Sequence, residues 1–370
     1  MKAVGVLPRQ REVSVLDHEA PQLQRDDQVK VRSVDVGLCG TDREICTFVY
    51  GAPPNGSDYL VLGHESLGEV VEVGQNVSRF KPGDLVVPSV RRPCRHDHCR
   101  PCQSELQDFC STGDFTERGI KLDHGFMTEF FVEQERFLYW VAPELRDVAV
   151  LVEPLTIIEK AISRVWTMQQ SLPWIQTVEE GRPSGRGLKA VVLGAGPVGI
   201  LGALKLKAEG FETLVYSRSS KPNPKAELLE ACGIPYLSIK DTCVEELAER
   251  VGEIDLVYEA VGKSKLAFDV LSLLSLNGIY IMTGIPMPEP GIEINGDRLM
   301  KDIVLKNQVI FGTVNADGSS FESAIQDLKR FKDLWPEALR SIITQRHQID
   351  ASRQLLLDAA TGIKNVISFG

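Results

Sequence analysis

Apolar and polar residues alternate in short runs from the first residues of this 370-residue chain to about residue 155. Period-two alternation over Gln28 to Val36, Leu67 to Val73, Asp84 to Pro88 and Met127 to Val132 predicts strands, because successive side chains of an extended chain point to opposite faces. Turn sequences such as Lys81-Pro82-Gly83-Asp84 separate these runs, as in an irregular β-rich domain. A helical period of useful length first appears at Pro154 to Met168.

From Gly187 the texture changes. Lys189 to Leu193 reads as a short apolar strand, and Val198 to Glu209, rich in Leu and Ala, as a helix. Thr213 to Ser217 continues as a strand, followed by a helix from Pro224 to Cys232 that Gly233 closes. Further strands are predicted at Ile254 to Tyr258, Gly278 to Met282 and Val309 to Val314. Buried strands alternating with helices imply a parallel sheet covered by those helices. After Asn315 the pattern is helical, at Phe321 to Leu334 and Ala351 to Ala359, and this piece is expected to return to the first domain. Gln176 to Arg186, with Gly, Pro and Ser, reads as a loop or hinge. No long repeat or low-complexity run interrupts the chain.

A chain this long exceeds one ordinary core, so two domains are expected. The net charge of −10 argues against nucleic acid or an anionic membrane as partner, since both need a basic footprint. Arg91, Arg92, Arg95 and Arg100 do gather, and read as a solvated loop. No apolar run is long enough to cross a bilayer, and the opening Met-Lys-Ala-Val-Gly-Val enters strand-like alternation at once, without a signal-peptide core. A cytoplasmic protein is expected.

Gly194-Ala195-Gly196-Pro197-Val198-Gly199 stands between a predicted strand and a predicted helix. In such a fingerprint the first glycine permits the turn, the second admits a pyrophosphate and the third lets helix and strand pack closely. The helix N-terminus then faces the phosphates. An NAD-preferring site carries a carboxylate at the end of the next strand. Here that place reads Tyr216-Ser217-Arg218-Ser219-Ser220-Lys221. Ser217, Arg218 and Lys221 offer donors and positive charge to a 2′-phosphate, so NADP is the preferred cofactor, with NAD as the second choice. The bland alternative makes Arg218 a surface residue beside a dual-specificity site.

Cysteine usage adds metal. Cys94, Cys99, Cys102 and Cys110 crowd one segment, and four thiolates close a tetrahedral zinc shell with no open position, a structural site. His96 and His98 fall inside the first spacer and are rival ligands; free cysteines or a redox pair are the bland alternatives. A second, dispersed set comprises Cys39-Gly40-Thr41-Asp42, Gly63-His64-Glu65 and Glu153-Pro154. These are ligand types suited to a catalytic zinc. On spacing alone His64 is equally readable as a hydrogen-bonded structural histidine and Cys39 as a buried thiol.

Taken in order, Gly37-Leu38-Cys39-Gly40-Thr41-Asp42, Gly63-His64-Glu65, the four-cysteine lobe, Glu153-Pro154 and the late glycine fingerprint resemble the zinc-containing medium-chain alcohol dehydrogenases over essentially the whole chain. Gly40-Thr41-Asp42-Arg43-Glu44, Arg91-Arg92-Pro93-Cys94, Thr116-Glu117-Arg118-Gly119-Ile120, Gly125-Phe126, Glu153-Pro154-Leu155 and Phe311-Gly312-Thr313-Val314-Asn315 are most similar to glucose 1-dehydrogenases. The resemblance implies an α/β protein with a GroES-like β-rich catalytic domain, 1–158 and 316–370, and a doubly wound Rossmann domain, 159–315. It implies that Cys39, His64 and Glu153 hold a catalytic zinc, with Glu65 as an exchanging ligand or a neighbouring carboxylate. Thr41 would relay the substrate proton, and Glu117 and Asn315 would contact sugar hydroxyls or the cofactor. Gly194, Gly196, Pro197, Val198 and Gly199 would carry the nucleotide. The first spacer of the cysteine lobe is four residues where two is commoner, so that loop is expected to bulge.

The function so implied is hydride transfer from a sugar hydroxyl to NADP, with an aldose such as D-glucose giving its lactone. Another polyol, cyclitol or amino alcohol under the same chemistry is the nearest alternative, and a non-catalytic NADPH-binding protein a distant one. The expected partners are a small sugar or polyol and further copies of the chain, as a homodimer or homotetramer.

Overall fold

A computed structural model describes residues 1–171, 174, 177–179, 182–287 and 290–369. The chain divides into two compact units, Met1–Thr156 with Asn315–Asp333 and Leu339–Gly370, and Ile157–Val314 with Leu334–Ala338.

The first unit is built on the strand Gln28–Gly37, whose alternating Val29 and Val31 are fully buried. It pairs antiparallel with Glu65–Val73, with Phe130–Gln134 and with Lys364–Ser368. The same sheet continues through Leu85–Pro88 to Leu138–Val141 on one side, and through Lys364–Ser368 to Ile343–His347 on the other. A second small sheet sets Lys2–Leu7 between Glu12–Asp17 and Leu60–Val61. The strand Lys364–Ser368, close to the end of the chain, lies directly beside Gly37. That register carries residue 364 to the same end of the sheet as Cys39, a placement no local pattern announces. Two short helices, Gly40–Ile45 and Arg100–Gln103, escape the sequence reading because one turn is too brief to show a period.

The second unit is a six-stranded sheet ordered Tyr236–Ser238, Glu212–Ser217, Lys189–Leu193, Ile254–Glu259, Leu274–Met282, Val309–Gly312, parallel throughout. Its fully apolar centre explains the run of buried Val191, Val192 and Leu193, as expected where both faces are covered. Tyr216, Tyr258 and Tyr280 are buried whole; the hydroxyls of Tyr216 and Tyr280 donate to the Thr242 and Ala267 carbonyls, the usual fate of a buried phenol. The strand Tyr236–Ser238 and the helices Val244–Val251, Ser264–Leu271 and Gly296–Leu305 were not separated from loop by sequence pattern. Each is ten residues or shorter, at the limit where a period can be read. The stretch read as a hinge contains a short hairpin instead, Thr177–Glu179 against Arg182–Ser184; Gln176, Glu180 and Gly181 lie outside the described residues. No described helix is long and apolar enough to cross a membrane.

An aromatic stack ties the small sheet to the rest of the first unit. The rings of Tyr59 and His124 stack with centroids 5.1 Å apart, and His18 meets both edge-on. His124 Nδ1 accepts the backbone N–H of Val61 at 3.1 Å, so the ring is a neutral acceptor there. Burial, with His18 and Arg118 nearby, pushes His124 down to about 4 from its ordinary 6.5. The folded state thus binds fewer protons than the unfolded chain between these values. Stability from His124 is complete above pH 6.5 and is lost as the pH falls towards 4. Denaturant midpoints measured from pH 7 to pH 4.5 should therefore decline, and the decline should be shallower in His124→Asn; equal slopes in the two proteins would refute this.

Candidate active site and metal centres

The Gly40–Ile45 helix begins at Cys39, and Asp42 in its first turn folds back to accept the Cys39 N–H at 2.9 Å. The other Asp42 oxygen accepts the Gly63 N–H at 3.2 Å and stands 3.5 Å from His64 Nδ1. One wholly buried carboxylate therefore fastens the two loops that carry Cys39 and His64. The ligand atoms of Cys39, His64 and Glu65 lie within 4.8 Å of one another. Burial opposes a charge on His64, yet Asp42 and Cys39 outweigh it and lift the imidazole well above its usual range. His64 Nδ1 is buried and makes no hydrogen bond. A cation on the other ring nitrogen would supply the positive charge this environment favours, leaving Nδ1–H to face Asp42, the arrangement that orients metal-bound histidines.

Glu65 is paired with Lys364, which also donates to the Leu38 carbonyl at 3.1 Å. Both members of the pair are fully buried. Burial works against the ammonium, but Glu65 outweighs it and holds Lys364 above its ordinary value. Glu153 opens the helix Val152–Gln169 and stands outside the 4.8 Å group. Burial pushes its carboxyl up to about 7; His64 pulls it down and Glu65 pushes it further up. Acids crowded in this way suit a divalent cation, and a Cys/His/carboxylate set suits zinc. Thr41 sits half-buried in the first turn beside them.

Cys94, Cys99, Cys102 and Cys110 also converge within 4.8 Å, with Cys99 Sγ 3.9 Å from Cys110 Sγ. Ser111 Oγ, 3.4 Å from Cys99 Sγ, draws that thiol down to about 5. Four sulfurs in a closed group fit a structural zinc. His96 points to Asp114 at 2.6 Å, and neither His96 nor His98 joins the group.

In the second unit, a cleft of about 670 Å³ opens where the sheet order turns outward on both sides of Lys189–Leu193, the switch point at which such sheets bind nucleotides. Gly194, Ala195, Gly196, Ser217 and Arg218 line it. Gly194 has φ +103°, and a Cβ on Gly199 would drive into the Gly194 carbonyl. Gly196 has open space where its Cβ would be and caps the helix Pro197–Ala208 without a side-chain bond. The first N–H groups of that helix are thus left for a pyrophosphate. Lys221, expected beside Arg218, instead pairs with Glu230 and does not line the cleft. Lys225 does. Burial, then repulsion from Arg218, lowers Lys225, and neither cation has a carboxylate within ion-pair reach among the described residues.

The arginines read as a solvated loop divide into two kinds. Arg91 and Arg92 are each only 9% exposed and paired with Glu117 and Glu133, because a cation taken from water needs a partner. Arg95 and Arg100 are exposed. Asn315, at φ +58°, donates to Glu117 Oε1 at 2.6 Å, so the structure brings together the two residues expected to meet substrate or cofactor.

The family described as glucose dehydrogenase C-terminus matches residues 146–369, and the alcohol dehydrogenase GroES-like domain family matches residues 25–143. The chain is 36% identical to a glucose 1-dehydrogenase of Methanocella arvoryzae over the whole of both chains. It is likewise 36% identical to one of Metallosphaera sedula, covering all of this chain and 99% of the relative. This chain belongs to the glucose dehydrogenase family of zinc-type medium-chain dehydrogenases. Among solved structures, glucose dehydrogenase from Haloferax mediterranei in complex with NADP, zinc and gluconolactone superposes with a TM-score of 0.88 at 30% identity, covering 100% of this chain and 99% of that one. Galactitol-1-phosphate dehydrogenase from Escherichia coli, at 19% identity and a TM-score of 0.78 over the full length of both, shares the fold.

Within this member of the family, Asp42, Lys364 and Lys225 escaped the sequence reading as site residues. Asp42 adjoins the Cys39 motif, and a carboxylate three residues past a candidate ligand at a helix start is a usable signal. Lys364 offers only the oddity of a lysine opening an apolar terminal strand.

The protein purified without chelators should contain two zinc ions per chain. Asp42→Asn should weaken one of them about 10- to 100-fold and leave the other untouched, read by competition with a chromogenic chelator. Two sites of unaltered affinity in that variant would remove Asp42 from the metal's support.

Proposed function

We propose that this chain is a zinc-dependent, NADP-preferring dehydrogenase that takes hydride from a hydroxyl-bearing carbon of a sugar, an aldose such as D-glucose giving its lactone. The observation that carries this reading is the convergence of Cys39, His64 and Glu65 in a chain related end to end to glucose 1-dehydrogenases. A bound zinc would supply Lewis acidity to the substrate hydroxyl, and a bound nicotinamide the acceptor for hydride. Cys39, His64 and Glu153 would hold the metal, with Asp42 fixing the tautomer of His64. Glu65, neutralised by Lys364, would stand beside the metal as an exchanging ligand. Thr41 would pass the substrate proton towards solvent. Glu117 and Asn315 would meet hydroxyls remote from the reacting carbon.

NADP preference rests on Arg218 and Lys225, cations lining the cleft that have no carboxylate within ion-pair reach among the described residues, whereas the acid that lines it, Asp269, is paired with Lys265. A nearly dianionic 2′-phosphate supplies the missing counter-charge. Cysteine usage, with two clusters arranged for metal, supports a cytoplasmic protein. Assembly into a homodimer or homotetramer is supported by Val309–Gly312, which ends the parallel sheet as an open strand, and by the exposed Met300, Val304 and Leu305 nearby in the sequence.

A panel of aldoses, polyols, cyclitols and amino alcohols assayed with NADP and NAD tests the reading directly. Turnover of aldoses with NADP should dominate; amino alcohols alone as substrates would defeat it. Each charge-assisted bond to the 2′-phosphate is worth about 1.5–3 kcal/mol. Arg218→Ala and Lys225→Ala should therefore each lower kcat/KM for NADP roughly ten- to a hundred-fold, with NAD little changed. Lys221→Ala, removing a side chain already spent on Glu230, serves as the control. Equal losses with both cofactors would make the two cations structural.

A further inference from the structure

Arg91 is joined to three partners at once. Its Nε and Nη2 donate to Glu117 Oε1 at 3.1 and 3.0 Å, and its Nη1 donates to the Asp108 carbonyl at 2.9 Å. The guanidinium carbon lies 3.7 Å from the centroid of the Phe115 ring. Asp108 belongs to the cysteine lobe, two residues before Cys110, so the guanidinium is anchored on that lobe and aimed at Glu117. Asn315 adds a third donor to the same oxygen. Glu117 Oε1 therefore receives three N–H groups.

The other oxygen is treated differently. No described residue donates to Glu117 Oε2, and it is absent from the buried side-chain atoms left without a partner, so solvent reaches it. Glu117 as a whole is nevertheless 5% exposed. A carboxylate so enclosed, paired with Arg91 through one oxygen, presents the other as an unoccupied acceptor. Its surroundings are those of the metal cluster. Gly119, two residues on, packs so closely on Gly63 that a Cβ there would strike the Gly63 carbonyl. Tyr50 lies within electrostatic reach of Glu117, Arg91 and His64 together.

We propose that Arg91 is the positioning residue for sugar recognition: by saturating Glu117 Oε1 it turns Oε2 into a single aimed acceptor for a substrate hydroxyl away from the carbon that is oxidised. This rests on the sugar-dehydrogenase reading above. An anionic acceptor demands a donor, so the site selects a polyhydroxylated substrate over a simple alcohol, which would leave Oε2 facing the substrate unpaired. Lysine cannot replace Arg91, because one ammonium lacks the planar fork that reaches Glu117 and Asp108 together while lying on a ring.

The test is steady-state kinetics on D-glucose and its monodeoxy analogues, with NADPH affinity by fluorescence and zinc content measured on the same samples. Arg91→Lys should raise KM for D-glucose about ten-fold or more, with kcat changed only a few-fold, NADPH affinity within two-fold and both zinc ions retained. Glu117→Gln should raise KM similarly, and the double variant should be no worse than Glu117→Gln alone. One deoxy sugar, lacking the hydroxyl that Oε2 accepts, should show the same KM in wild type and Arg91→Lys. An unchanged KM in Arg91→Lys, or penalties that multiply in the double variant, would overturn the assignment while leaving the sugar reading intact. A wild type that turns over no sugar would instead overturn that reading, and this inference with it. Should Arg91→Lys lose zinc or thermal stability, Phe115→Leu, which removes only the ring beside the guanidinium, must raise KM in the same direction or the assignment fails.

Discussion

Ionisable groups buried together must balance one another, and the first unit is organised around that requirement. Cys39, Asp42, His64, Glu65, Glu153 and Lys364 share one poorly solvated region, where an unpaired charge is expensive. Lys364 neutralises Glu65, and Asp42 spends its oxygens on two backbone N–H groups beside His64. Removing one member of such a buried pair costs about 3–5 kcal/mol, far more than a surface ion pair contributes. Burial pushes Glu153 up to about 7, with Glu65 and Asp42 adding to it and His64 and Lys364 opposing. A divalent metal held among these groups would favour their ionised forms.

The same rule separates the arginines and lysines elsewhere. Where burial is deep, as at Arg91 and Arg92, each cation has its carboxylate, and the pair is oriented by further bonds to backbone or ring. Where two cations share a cleft and neither has its own carboxylate, as with Arg218 and Lys225, their mutual repulsion is relieved by solvent or an anionic ligand between them. Lys205 shows the contrast within one unit, held between Glu159 and Glu209 at 2.8 and 2.9 Å. Pairing thus distinguishes a cation that holds structure from one held ready for a ligand.

Local pattern carried the parallel sheet far because its central strands bury runs of apolar residues and two glycines of its first turn are constrained. Gly194 needs positive φ and Gly199 has no room for a Cβ, so the fingerprint is a statement about space that residue type alone makes. The four cysteines are legible for a similar reason: they lie within one short loop, and chain proximity brings their sulfurs together. Helices of eight to ten residues give too few turns for a period to stand out, so in the second unit Pro224–Ala231 is legible by its proline start and the Gly233 that follows, whereas Val244–Val251, Ser264–Leu271 and Gly296–Leu305 are not.

By itself, then, the sequence determined the alternation of strands and helices, the glycine turn, the cysteine lobe and the residue types available for metal, since each depends on neighbours a few positions apart. Only the tertiary structure decided which charges face which. Lys364 meets Glu65 because the last strand pairs with Gln28–Gly37 in a register set by the buried faces of both. Lys221 turned to Glu230 and Lys225 entered the cleft because a helix start rotates neighbouring side chains to different sides. Arg91 left the solvated loop it was assigned to because Glu117, Asp108 and Phe115 surround it. Partners of a charge are fixed by packing over long sequence separations, and no local pattern encodes them.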